Sequence, residues 1–253
     1  MSAFSASTPP DPQPWGFWPT LGFGLLVGVV FVGVQTLVAW VYLAQQFSSQ
    51  GIPSDPESLI NDLQFNGQVL ALATLATTPI CTLLVILLAW LRRRLAVVSY
   101  LGLSPPGWGA LGRWLLLTLL LVGATDGLRL LLNRPIVPEF AIRTFQSADL
   151  GLLVVALVIA APLTEEFFFR GFLLPGWQSS WPGPVGALLL TSGFWAGIHL
   201  QYDLFDITLI FGVGILLGLA RWRSGSLFTP LAMHALNNLL SVLQTLWVVG
   251  QIS

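Results

Sequence analysis

The chain has 253 residues, 55% of them hydrophobic and 8% charged, with a mean hydropathy of +0.81. Soluble domains carry about 25% charged residues, so a soluble globular fold is excluded and an integral, multi-pass membrane protein is expected. The formal net charge is -1 and every side-chain positive charge is an arginine, which removes the electrostatic case for nucleic acid.

Residues 1–16, with Pro9, Pro10, Pro12 and Pro14, read as a disordered or polyproline-like tail, and no signal peptide is expected, because no positive charge precedes the first apolar run. Trp15 and Trp18 then read as interface anchors. A first span is predicted over about 20–44 and a second over 65–91, bent at Pro79. The acidic linker 45–64 separates them, and Arg92-Arg93-Arg94 ends the second. Arginine clusters beside a span stay on the cytoplasmic side, so the N-terminus is expected inside and the linker outside. Cys81, the single cysteine, has no intrachain partner and reads as packing. The stretch 101–108 looks like an interfacial turn.

A third span, 111–132, carries Asp126 and Arg129, which are three apart and expected to pair with each other. Residues 133–149 form an outer loop. The fourth span, 150–174, holds Thr164-Glu165-Glu166-Phe167-Phe168-Phe169-Arg170-Gly171, and the rest of the chain is organised around it. Adjacent carboxylates inside hydrocarbon cost about 2.5–3.5 kcal/mol each on insertion scales, so they need a partner or a wet cavity. Glu166 and Arg170 are four apart in the favourable order for an ion pair. Glu165 lies roughly 100° round the helix and is left for another role. Spans five (185–200), six (207–220) and seven (227–249) complete a bundle of seven helices, or eight with an interfacial segment. Gly193 and Gly197 in span five, and Gly212, Gly214 and Gly218 in span six, are expected to admit close helix packing.

Both histidines, His199 and His234, fall in predicted spans. Trp195 stands four residues before His199, and His234 shares a face with Asn238. Two mechanisms fit these residues. In one, Glu165 and His199 activate a water while His234 and Asn238 donate hydrogen bonds to the oxyanion. In the other, His199, His234 and Glu165 bind zinc, the only cofactor the sequence calls to mind, although His-Glu-x-x-His is absent. A linear rise of 1.5 Å per residue puts Glu165 about 14 Å and His234 about 10 Å from their predicted cytoplasmic helix ends. His199 comes out about 21 Å away by the same rule, so span five is expected to start later or to bend.

Glu165-Glu166-x-x-x-Arg170, an aromatic four residues before His199, and His234-x-x-x-Asn238 resemble, in order and spacing, the three motifs of the CPBP family of intramembrane proteases (Abi, or CAAX-protease and bacteriocin-processing). The resemblance covers about residues 150–245, and Trp195 stands where the family usually has phenylalanine. It implies an all-α transmembrane bundle with a four-helix catalytic core at 150–250, preceded by the tail and by N-terminal helices over 17–149. It also implies hydrolysis of a peptide bond in a membrane-bound or lipid-anchored substrate, in a prokaryotic-type plasma membrane or another internal membrane. By that resemblance Glu165 and His199 would activate water, Glu166 and Arg170 would support them, and His234 with Asn238 would form the oxyanion site. Family members are widely labelled metalloproteases, and a metal-free mechanism is argued as well. The rival readings are a non-enzymatic bacteriocin-immunity or scaffold protein, and a transporter or proton relay.

Overall fold

The first helix, α1, runs from Phe17 to Gln50, longer at both ends than its apolar core predicts. Ser48 and Ser49 extend its last turn by returning their hydroxyls to the carbonyls of Gln45 and Gln46, and Gly51 ends it at φ 81°. The structure, a computed structural model, describes residues 12–51, 55, 59–60 and 63–252. The first eleven residues of the predicted tail, and much of the predicted acidic linker, lie outside that set. The remainder of the tail is held to the next helix: Trp15 Nε1 donates to the Leu88 carbonyl at 2.9 Å and Arg92 Nε donates to the Gln13 carbonyl. Trp15 therefore packs inward, while Trp18 is exposed.

Among the described residues the regular structure is helical, without strands. After α1 come α2 (Gly67–Trp90), α3 (Val97–Leu101), α4 (Trp108–Leu131), α5 (Glu139–Gln146), the composite α6 (Leu150–Gln178), α7 (Gly183–Gly197), α8 (Leu204–Ser224) and α9 (Phe228–Ile252). Three starts are capped by short polar side chains that accept an orphan backbone N–H: Asn66 for α2, Asp149 for α6 and Asp203 for α8. Five helices, α1, α2, α4, α6 and α8, are long and apolar enough to cross a membrane, and they present lipid-type side chains outward, among them Val29, Leu37, Leu83 and Leu120. The polytopic helical bundle is as expected, but the predicted fifth and seventh spans differ from those five. α7 has only 15 residues, a rise of about 22 Å. α9 has 25 residues but carries His234, Asn237, Asn238 and Gln244 along its length.

Other expectations change with partners across helices. Asp126 and Arg129 do not pair with each other: Arg129 reaches Asp206 of α8 at 2.7 Å, and Asp126 accepts from Gln244 of α9 at 2.6 Å. Each side chain finds a better-aligned partner on a neighbouring helix than on its own. A Cβ at Gly197 or Gly212 would meet nothing and one at Gly193 only the Phe211 ring at 4.0 Å, whereas one at Gly214 would meet Trp195 and Ser192 at 3.0–3.1 Å and one at Gly218 would meet Leu188 at 2.4 Å. The close α7–α8 approach therefore rests on the glycines of α8. The predicted interfacial turn follows α3, which closes at Gly102 with φ 71°. The Gly102 carbonyl accepts from Leu227 N at 2.8 Å and the Ser104 carbonyl accepts from Ser226 Oγ at 2.6 Å, so the 92–107 loop and the α8–α9 turn meet at one end of the bundle.

Candidate active site

α6 is not a uniform α-helix. Ala156–Ala160 and Phe167–Leu173 are π-helical turns, separated by the α-helical segment Ala161–Glu166. The cause is legible in the residues that follow each turn. A proline inside a helix lacks an N–H and its ring clashes with the carbonyl four residues back; a wider turn relieves that clash, and single π-turns are frequent at functional sites. Pro162 and Pro175 each stand two residues after a π-turn ends. Glu165 and Glu166 thus sit between two widened turns, near the middle of a 29-residue helix.

Glu166 and Arg170 form the expected ion pair at 2.8 Å, and both side chains are 0% exposed. Glu166 Oε1 also accepts from His234 Nδ1 at 2.9 Å. Arg170 donates from Nη2 to the Gly214 carbonyl at 3.2 Å and lies over the Trp195 ring at 4.6 Å. Gly214, with no Cβ to collide with Trp195, lets α8 come near enough for that carbonyl to be reached. Helices α6, α7, α8 and α9 are joined in this way through one guanidinium and its carboxylate.

Glu165 is 20% exposed and does not face Arg170. Its Oε2 accepts a hydrogen bond from Trp195 Nε1 and lies 3.9 Å from His234 Nε2. Trp195 in turn accepts, through its carbonyl, from His199 Nδ1 at 2.7 Å, and its ring stands edge-on to both imidazoles at 5.2 Å. A carbonyl can only accept, so the His199 proton sits on Nδ1 and Nε2 is left as the acceptor in the neutral ring. Glu165 and His199 are therefore linked through Trp195 and not by a direct bond. Spacing in the sequence put Trp195 one turn before His199; its N–H, which phenylalanine would lack, carries the link to Glu165.

His199 lies beyond the end of α7, in the turn 198–202, and not within a span as expected. α7 starts at Gly183, no later than predicted, and the depths agree because α6 runs on to Gln178. Glu165 is then about 20 Å from that end of α6 and Trp195 about 18 Å along α7, where the two side chains meet.

Asn238 is on α9, but its Nδ2 donates to the Leu157 carbonyl of α6 at 2.8 Å, and its Oδ1 accepts from Asn237. In the register that Ala161 N–H follows to the Ala156 carbonyl, the partner of Leu157 would be Pro162, which has no N–H. Asn238 thus satisfies a carbonyl that Pro162 leaves free, and one amide hydrogen remains. Of the predicted oxyanion pair, His234 is buried between Glu165 and Glu166, and Asn238 is tied to the first π-turn.

Among the described residues no group of three His, Cys, Asp or Glu side chains is placed to hold a metal ion, and Trp195 stands between His199 and Glu165. Cys81 is a buried core residue, as expected of a packing side chain.

The fold and the site define a multi-pass helical membrane protein with a buried carboxylate–guanidinium–imidazole cluster at mid-helix. Residues 147–240, which hold every residue of that cluster, match the family model described as type II CAAX prenyl endopeptidase Rce1-like. An Escherichia coli protein described as an uncharacterized 24.3 kDa protein is 38% identical over 89 residues, covering 34% of this chain and 41% of that protein. The match thus spans about two fifths of the curated relative's length. No solved structure matches the chain.

Proposed function

We propose that the chain is an intramembrane endopeptidase of the CAAX-protease type, hydrolysing a peptide bond of a membrane-bound or lipid-anchored substrate. The observation that carries the reading is the pair of bases joined by Trp195. A carboxylate with one oxygen engaged by an indole N–H and a histidine with a free Nε2 are presented together beside a fully buried ion pair.

In this reading Glu165 and His199 orient a water, and its oxygen attacks the scissile carbonyl carbon. One proton passes to Glu165, and the same proton goes to the amine nitrogen as the C–N bond breaks, leaving a carboxylic acid and an amine. Positioned general bases contribute about 10²–10⁴-fold. With both ring nitrogens protonated, His234 donates to Glu166 from Nδ1 and to the developing oxyanion from Nε2. The second amide hydrogen of Asn238 joins it, and each such donor is worth about 10²–10³ in kcat. Glu166 and Arg170 fix His234 and Trp195, and no step passes through a metal.

The orientation follows the arginines. Arg92, Arg93, Arg94, Arg221 and Arg223 lie at the end of the bundle where the 92–107 loop meets the α8–α9 turn and where Trp15 docks, and we assign that end to the cytoplasm.

The test is cleavage of a membrane-anchored reporter-peptide library by the purified protein, wild type against Glu165→Gln, with and without a chelator. Cleavage that falls by at least about 10³-fold in the variant and survives chelation is expected. Equal cleavage by both proteins would remove Glu165 from the mechanism. Cleavage abolished by the chelator and restored by zinc would replace the proposed route with a metal one, and silence from both proteins would favour a peptide-binding membrane protein without hydrolytic activity.

A further inference from the structure

On the side where α1 and α2 cover α6, a narrow cleft of about 40 Å³ reaches Glu165, lined by Phe31 and Gln35 of α1, Thr74, Thr77 and Thr78 of α2, and Ala161 and Thr164 of α6. For a crevice between membrane-spanning helices its chemistry is unusual. Four threonines, one primary amide and one carboxylate line it, against two apolar side chains.

Some of the hydroxyls are engaged in holding the helices together. Thr164 Oγ1 donates to Thr78 Oγ1 at 2.9 Å, both approach the Ala160 carbonyl, and Thr77 Oγ1 donates to the Ala73 carbonyl at 2.6 Å. Gln35 and Thr74 differ. Among the described residues neither side chain takes part in a hydrogen bond. Gln35 lies near the middle of a 34-residue apolar helix, where an unpaired amide costs several kcal/mol in hydrocarbon. A polar residue in a span normally faces a partner or a wet cavity, and Gln35 faces this cleft. The space is sufficient: a water needs about 10–15 Å³ of such volume and two to four polar partners. The Gln35 amide, the Thr74 hydroxyl and the Glu165 carboxylate supply them.

We propose that this cleft is a hydration site inside the bundle, holding the water consumed at Glu165, with Gln35 and Thr74 as its positioning residues. The presence of water there stands on the cleft itself; its fate rests on the hydrolase reading. Glu165 then works between two compartments. Trp195 and His234 occupy one side of its carboxyl group, and the water reaches it from the threonine-lined side.

The experiment uses the full chain in lipid nanodiscs and reads water directly. A water-soluble methanethiosulfonate reagent reacts with the thiolate, which forms only where the thiol is hydrated. Gln35→Cys is compared with Leu37→Cys at nearly the same depth on the lipid-facing side of α1, and the buried native Cys81 provides the baseline. Gln35→Cys is expected to react at least about ten times faster than Leu37→Cys; equal, slow rates would overturn the hydration site. The second arm measures reporter-peptide cleavage by Gln35→Leu and Thr74→Val, where kcat is expected to fall about tenfold with KM unchanged. Fast labelling with kcat intact in both variants would overturn the supply of water to Glu165. If the wild type cleaves nothing, the hydrolase reading fails, and the labelling rates still decide the cleft.

Discussion

Arg170 is the residue whose removal tests the architecture most directly. Its guanidinium is 0% exposed and holds Glu166 at 2.8 Å, the Gly214 carbonyl at 3.2 Å and the face of Trp195 at 4.6 Å. Arg170→Met keeps an unbranched stem of similar reach, so the loss is mainly of charge and donors. Breaking a buried ion pair by removing one partner costs about 3–5 kcal/mol in soluble proteins. Polar pairs between membrane helices average about 0.6 kcal/mol and reach about 1.7, because the unfolded chain in the membrane also finds partners. Full burial here, and the number of groups left without Arg170, place the expected loss at about 3 kcal/mol. The assay is reversible unfolding in mixed micelles, run as a double-mutant cycle with Glu166→Gln. The double variant removes the buried carboxylate together with the guanidinium, so its cost is expected to fall short of the sum of the singles by about 1.5 kcal/mol or more. A single-variant loss below about 1 kcal/mol, or additivity within about 0.5 kcal/mol, would refute the view that this pair organises the bundle.

Trp195→Phe keeps the ring and removes the indole N–H. It is expected to lower kcat about tenfold at unchanged KM, and in the wild type the Trp195 indole ¹⁵N–¹H resonance should move on Glu165→Gln; an unmoved resonance would separate the two groups. Asn238→Leu leaves the Leu157 carbonyl without its donor and should cost about 1–3 kcal/mol in unfolding, and Asn238→Asp, whose ionised carboxylate cannot donate, should cost no less. Pro162→Ala restores a backbone N–H, which should let the first π-turn tighten towards α-helix, leaving stability equal or higher while cleavage falls; unchanged cleavage would show that the widened turn does not place Glu165. At the other end of the bundle, Arg134 and the Asp206 N–H hold the Asp203 carboxyl below the usual range. That contact is fully present above the ordinary carboxylate pKa and is lost as pH falls through the lowered one, so amide exchange at the start of α8 should speed up on acidification and lose its pH dependence in Arg134→Ala.

The elements that could be read from the sequence are those set by spacing on a single helix. Glu166 and Arg170, four apart with three phenylalanines between them, pair as their positions require, and Glu165 points elsewhere for the same geometric reason. What spacing does not carry is which neighbouring helix supplies a better partner. Asp126 and Arg129 satisfy the same local rule and yet each bonds to another helix. Length misled at α7. The apolar run continues through His199, but the helix stops at Gly197 and the chain turns towards the Asp203 cap. The two π-turns of α6 were not foreseen, although Pro162 and Pro175 beside them were there to be read. The carbonyl that Pro162 leaves free is met by Asn238 of α9, a contact 81 residues distant in sequence.

These features have a common logic in how polar groups are disposed of inside hydrocarbon. Glu166, Arg170, His234 and Asn238 are each committed to a partner that another element leaves in need: an ion pair, an imidazole, the Gly214 carbonyl, the Leu157 carbonyl. Such commitments fix four helices against one another, and in the proposed mechanism they leave His234 its Nε2 and Asn238 one amide hydrogen. Glu165 is more open. It receives one indole N–H, keeps a second oxygen, and borders a polar cleft. Adjacent helix positions point about 100° apart, which lets the two carboxylates meet such different surroundings, one sealed in the core and one reachable, and a π-turn on either side sets how that stretch of α6 is turned. Tightening either turn should therefore trade reactivity for stability.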